Sequence, residues 1–263
     1  MLKKKRLWVA LLLAALLVGG LLLWTSQRYV VPIVMYHSIQ DTAQLQLQNA
    51  VTTSPKFFRY HLDFLKKNKY NVITVDELVS GIQAGKHFPR RTVVITFDDG
   101  FLDNYTQAFP ILKEYRYPAA MFVIAKYIGK KEHVRWNQVV EMVQSGLITI
   151  GSHSYTHAYL PEIPPEQQSE EIVKSKEVLE ARIGRPVDYF TYPVGGFNAQ
   201  ISELTAQAGY KGAFTTNRGY NRYNKNVYAL KRIRLSDKDN SDTILWFKLS
   251  GFYNLFRSEK PSE

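Results

Sequence analysis

The chain has no cysteine among its 263 residues. That removes a disulfide scaffold, a thiol nucleophile and any zinc or iron–sulfur site built on thiolates. Any metal centre must be made from His, Asp or Glu, and there are only six histidines. Glycine and proline are sparse, 15 and 11, so collagen and low-complexity disorder are excluded. No internal repeat is visible. Charged residues are 22% and hydrophobic residues 45% of the chain, as in an ordinary globular protein.

The net charge is +11, of which Lys3, Lys4, Lys5 and Arg6 supply four. The remaining mild excess suits polyanionic envelope polymers or a membrane surface. No basic cluster interleaved with aromatics and no nucleic-acid motif accompanies it, so nucleic acid is not expected as a partner. Nothing in the chain implies a protein partner.

One long apolar run exists, Leu7 to Trp24, 18 residues without a polar side chain. A membrane-spanning helix needs roughly 17–25 such residues. The basic cluster before it is expected to stay cytoplasmic. Thr25-Ser26-Gln27-Arg28 lacks a small-x-small cleavage pattern. The expectation is an uncleaved anchor over residues 1–28 and an extracytoplasmic catalytic domain over residues 29–263; secretion after cleavage is the alternative.

Beyond residue 28, β-branched runs alternate with amphipathic stretches. Strands are expected at Val30–Tyr36, Val72–Val75, Thr92–Phe97, Ala119–Ile124, Leu147–Ser152, Tyr189–Tyr192, Gly212–Thr216 and Tyr228–Leu235. Between them, Ser54-Pro55 opens a helix as N-cap and first residue. Thr74 and Glu77 form a capping box, and a long helix runs from Pro165 to Ile183. Such alternation argues for βαβ units. It predicts an α/β protein, a (β/α) barrel of about seven strands, with its chemistry at the carboxyl ends of the strands.

Three motifs fall at such ends. Thr96-Phe97-Asp98-Asp99-Gly100 follows a strand. Alone, an Asp-Gly turn often does no more than cap the next helix; in the functional reading, one carboxylate holds a metal and its neighbour acts as base. Gly151-Ser152-His153-Ser154-Tyr155-Thr156-His157 follows another. Two histidines four apart can converge on one ion, although any such pair can also be two unrelated surface residues. Together, two His and one Asp with a position left open for water form a recognised catalytic set of N and O ligands. An ion there makes water a nucleophile near neutral pH.

These residues resemble the polysaccharide deacetylases, carbohydrate esterase family 4, also called the NodB-homology domain. The resemblance covers about residues 31–235 and implies a distorted barrel. It implies that Asp98 is the general base and that Asp99, His153 and His157 hold one divalent metal, zinc by default with cobalt or nickel possible. The family's Arg-x-Pro-aromatic-Gly motif reads Thr191-Tyr192-Pro193-Val194-Gly195 here. The backbone N–H of Val194 retains the capacity to stabilise an oxyanion, and Tyr192 is a candidate for substrate binding. The motif's arginine is missing; Arg232 or Arg234 is the candidate replacement for orienting the base. The usual late histidine is missing too, since none follows His157.

Met35-Tyr36-His37-Ser38 resembles the early motif of the poly-N-acetylglucosamine deacetylase branch, in which the early histidine is the general acid. That makes His37 the candidate acid. Trp136 resembles the same branch's groove-lining tryptophan. His61 is expected to pack in the core, and His87 and His133 to be solvated.

The resemblance therefore implies a hydrolase that removes acetyl groups from an N-acetylated glycan, with poly-N-acetylglucosamine favoured. Peptidoglycan N-acetylglucosamine, a sugar-binding relic of the fold and a non-sugar amidase or esterase are the alternatives.

Overall fold

A computed structural model describes residues 29–41, 51–216 and 226–253, together with parts of 8–20. The strands are β1 (Ile33–Tyr36), β2 (Ser38–Ile39), β3 (Thr52–Thr53), β4 (Asn71–Val72), β5 (Thr92–Phe97), β6 (Ala119–Val123), β7 (Ile148–Ser152), β8 (Tyr189–Thr191), β9 (Gly212–Thr215), β10 (Leu230–Lys231) and β11 (Ile233–Arg234). The helices are α1 (Pro55–Lys67), α2 (Val75–Gln83), α3 (Phe109–Tyr115), α4 (Trp136–Gln144), α5 (Pro165–Ile183), α6 (Ala199–Gln207) and α7 (Asp242–Lys248).

Eight strands follow one another in the order β10-β9-β8-β7-β6-β5-β1-β11, every pair parallel. β10 and β11 lie at opposite ends of this order, yet only Arg232 separates them in the chain. The last segment thus leaves β9 and joins β1, and the barrel is nearly closed. This is the difference from the expected count of about seven: one extended segment, Tyr228–Leu235, is divided in two at Arg232. β4 pairs with the start of β5, outside this order.

Strand side chains alternate between two faces, and the core is sorted accordingly. Ile33, Val94, Ala120, Phe122 and Phe214 fall in an inner cluster, whereas Val34, Val93, Ile95, Met121 and Val123 pack in a larger cluster with the helices. Helix α2 gives Val75, Leu78 and Val79 to the inner cluster. Val79 lies against Gly212, the first residue of β9. The apolar interior therefore lies toward the amino ends of the strands, leaving the carboxyl ends for polar chemistry.

The local signals hold. Ser54 caps α1 by accepting from the Phe57 N–H at 3.3 Å. Thr74 and Glu77 close a reciprocal capping box, so α2 begins at Val75 and the preceding strand stops at Val72. Such caps stabilise by about 1 kcal/mol each. His61 is buried, joined to the Tyr36 hydroxyl and the Asp239 carbonyl at 3.0 Å each.

Among the described residues, no helix is long and apolar enough to cross a membrane. Half of the Leu7–Trp24 run lies outside the described residues.

Candidate active site

The carboxyl ends of β1, β5, β7, β8 and β11 surround a cavity of about 580 Å³, lined in part by His37, Asp98, Asp99, His153, His157, Val194, Arg232 and Arg234. Most of these side chains arrive by the same device, a strand that ends and turns.

Strand β5 ends at Phe97, and the Asp98 N–H donates to the Tyr36 carbonyl of neighbouring β1 at 3.0 Å. Asp98 is 1% exposed. Its two oxygens accept a bidentate pair from Arg232, Nη1 to Oδ1 at 2.7 Å and Nη2 to Oδ2 at 2.6 Å. Nη1 also reaches the Thr96 hydroxyl at 3.2 Å. Burial alone would push the Asp98 carboxyl up; the Arg232 charge and hydrogen bonds overcome it and hold the group near 2. The guanidinium lies over the Phe122 ring, 5.7 Å from its centroid. Of the two candidate arginines, Arg232 is the one that contacts Asp98. Two residues on, Arg234 is exposed at the mouth and does not meet Asp98.

Asp99 has φ 71°, a left-handed conformation that turns its side chain from its neighbour's direction toward β7. His153 Nε2 lies 3.5 Å and His157 Nε2 3.6 Å from Asp99 Oδ1. One ligand atom from each of the three lies within 4.8 Å of the others. The His153 Nδ1–H donates to the Thr191 carbonyl at 2.8 Å, which leaves Nε2 as an acceptor and fixes the ring, as the second hydrogen bond of a metal-binding histidine does. Burial lowers both histidines, His153 to about 3. Burial and then the Asp98 charge raise Asp99 to about 7.

The donor set fits a divalent cation. Two imidazoles and a carboxylate bring one ligand atom each within 4.8 Å of the others. The three would hold the ion; zinc, cobalt and nickel are all compatible with N and O donors. An ion so held polarises a carbonyl and activates water.

The histidine loop is held from behind. Glu171 of α5 is buried and accepts from the Thr156 N–H at 2.8 Å and the Thr156 hydroxyl at 2.6 Å. The Ser154 hydroxyl accepts from the His157 N–H at 2.9 Å. Neither Glu171 nor Thr191 was singled out from sequence. Thr191 acts through its backbone, which carries no residue signal, and Glu171 sits in a run of charged residues.

Val194 lines the cavity, 65% exposed, at φ 57° and ψ 0°. A β-branched residue in this region costs about 1–3 kcal/mol. Asp99, His157 and Val194, all lining this one cavity, are non-glycine residues with positive φ, and such strain concentrates at functional sites. Gly195, at φ 84°, is needed as glycine, because a Cβ there would fall 2.1 Å from the Thr216 hydroxyl. His37 lines the cavity at the end of β1; its Nδ1 is buried with no hydrogen-bond partner.

Two expected groove residues are elsewhere. Tyr192 is fully buried, stacked on Phe197 at 4.7 Å and donating to the Tyr228 carbonyl at 3.0 Å. It follows directly on β8, one place out of step with the residues that reach the cavity. Trp136 does not line the cavity; it packs half-buried against the outer core, with Arg182 5.6 Å over its ring. Its place at the start of α4 turns it toward α5.

The sequence and the fold are similar to those of known enzymes. Residues 85–213 match the Polysaccharide deacetylase family. YxkH of Bacillus subtilis (strain 168), whose name places it among polysaccharide deacetylases, is 35% identical over 212 residues, 81% of this chain and 74% of its own length. The chain belongs to the polysaccharide deacetylase family, hydrolases of C–N bonds that use a divalent metal. Among solved structures, the Streptococcus pyogenes deacetylase PplD, in complex with acetate, superposes with a TM-score of 0.77 at 28% identity, covering 84% of this chain and 99% of that one. Poly-β-1,6-N-acetyl-D-glucosamine N-deacetylase of Staphylococcus aureus (strain MSSA476) is 26% identical over 199 residues, 71% of this chain and 68% of that protein. The Escherichia coli (strain K12) protein of the same name is 24% identical over 238 residues, 74% of this chain; the match covers 35% of its length.

Proposed function

We propose that this chain is a zinc-dependent N-deacetylase acting on N-acetylglucosamine residues of poly-β-1,6-N-acetylglucosamine. The carrying observation is the Asp98–Arg232 pair set beside Asp99, His153 and His157 in one cavity with His37. The relatives named for that polymer support the substrate reading.

The reaction adds water across the acetamide and yields acetate and a free amine. Arg232 keeps Asp98 ionised in a buried setting, so the carboxylate can accept the attacking water's proton. Asp99, His153 and His157 hold the ion, which supplies Lewis acidity and activates water when bound. The Val194 N–H is assigned to the developing oxyanion. His37, on the neighbouring strand end, donates a proton to the leaving amine. The apolar run Leu7–Trp24 supports a single-pass anchor with this domain outside the cell.

One observation favours a second reading. Among the described residues, no carboxylate pairs with Arg234, which lines the cavity mouth. A cation there suits the acidic stem peptide carried by the neighbour of N-acetylglucosamine in peptidoglycan. Acetate release from β-1,6-linked N-acetylglucosamine oligomers and from peptidoglycan fragments decides. Faster release from the oligomers supports the first reading; release from peptidoglycan alone replaces it with the second; release from neither removes both.

A further inference from the structure

His37 and His153 both face the cavity but are held differently. His153 is fixed through its ring, by the Thr191 carbonyl at Nδ1. The Nδ1 of His37 is buried without a partner, so its ring has no such brace. The backbone around it is held instead. The Asn104 side-chain N–H donates to the His37 carbonyl at 2.6 Å. Asp103 takes the next two residues, accepting from the Ser38 hydroxyl at 2.6 Å and from the Ile39 N–H at 2.8 Å. Asn104 also donates to Asp103 at 3.0 Å, which ties the two side chains together.

The clamp is built into the fold. Asn104 is fully buried and opens a π-helical turn, Asn104–Ala108, ahead of α3. Such turns are rare and occur often at functional sites. Asp103 lies four residues after Asp99, so one short loop carries both a proposed metal ligand and the grip on the proposed acid.

We infer that Asp103 and Asn104 are positioning residues for His37, acting on turnover through its backbone; this rests on the acid role given to His37 above. A buried hydrogen-bonded clamp restricts the reacting ring to a narrow range of positions, and misplacement of about 1 Å can cost 10²-fold in rate.

The test is a double-variant cycle on acetate release with the zinc-loaded full chain, comparing Asp103→Asn, His37→Ala and the two together. Asp103→Asn is expected to lower kcat about tenfold or more, with KM within about twofold and bound zinc unchanged. In the His37→Ala background it is expected to do almost nothing further, because the group it positions is gone. Asn104→Ala, which leaves Asp103 in place, is expected to repeat the pattern and serves if Asp103→Asn does not fold. Losses that multiply in the double variant would assign the clamp a merely structural role and overturn the inference. So would full turnover in both clamp variants while His37→Ala is impaired. Full turnover in His37→Ala itself would instead remove the acid assignment, and the inference with it.

Discussion

Removing Arg232 is the perturbation with the most determined outcome. In Arg232→Met, Asp98 loses both guanidinium contacts, at 2.7 and 2.6 Å, while staying buried at 1% exposure. Breaking one side of a buried ion pair costs about 3–5 kcal/mol, because the remaining charge has neither water nor partner. For a domain of this size that is a fall in Tm of roughly 6–20 °C. With Arg232 gone, burial dominates and the Asp98 pKa rises, so the fraction ionised at neutral pH falls. Activity should drop at least about 10²-fold, the scale of a lost general base, and its acidic limb should move to higher pH. Asp98→Asn combined with Arg232→Met should regain much of the stability and none of the activity. Thermal melts and acetate release across pH measure all of this. Wild-type melting and wild-type rate in Arg232→Met would refute the reasoning.

Other outcomes follow from the same geometry. Asp98→Asn should stop acetate release yet keep bound metal, by metal analysis; retained activity removes Asp98 from the base role. Chelation should abolish acetate release and zinc should restore it; activity that survives exhaustive chelation contradicts a metal-dependent site. Gly195→Ala should lower stability by about 2 kcal/mol or more, from the left-handed φ and the Thr216 collision; a wild-type melt would contradict the close approach. Burial lowers His61 from 6.5 to about 4, so the unfolded chain binds the extra proton and stability falls as pH drops from 6.5 toward 4. At pH 4.5 the loss is about 2 kcal/mol relative to neutral pH. In His61→Gln that portion should vanish from the pH dependence of denaturant unfolding; an unchanged pH dependence would clear His61 of it.

What was legible followed from period and punctuation. The β-branched run Thr92–Phe97 and the carboxylates after it read directly as a strand and a polar strand end, because both signals are local. The helix starts at Pro55 and at the Thr74 box were equally local. Arg232 could be narrowed only to a pair with Arg234. Alternation points both to one face, and depth along the barrel, which no local pattern encodes, separates them. The break at Arg232 within Tyr228–Leu235 was invisible because both halves have strand character.

Tyr192 and Trp136 were misplaced for a related reason. An aromatic beside a motif is equally suited to a groove or a core, and here Phe197 and Arg182 cover the two rings. The left-handed backbone at Val194 could not be read from a residue that disfavours it. The brace on His153 is a backbone carbonyl, and the grip on His37 comes from two polar residues that could equally have been an exposed turn.

The central claim is that Asp99, His153 and His157 hold one divalent ion. The most direct measurement is zinc bound per chain after loading and dialysis, in the wild type and in His153→Ala. The account predicts about one ion per wild-type chain and a large loss in the variant. Equal zinc in both, or none in the wild type, would contradict it.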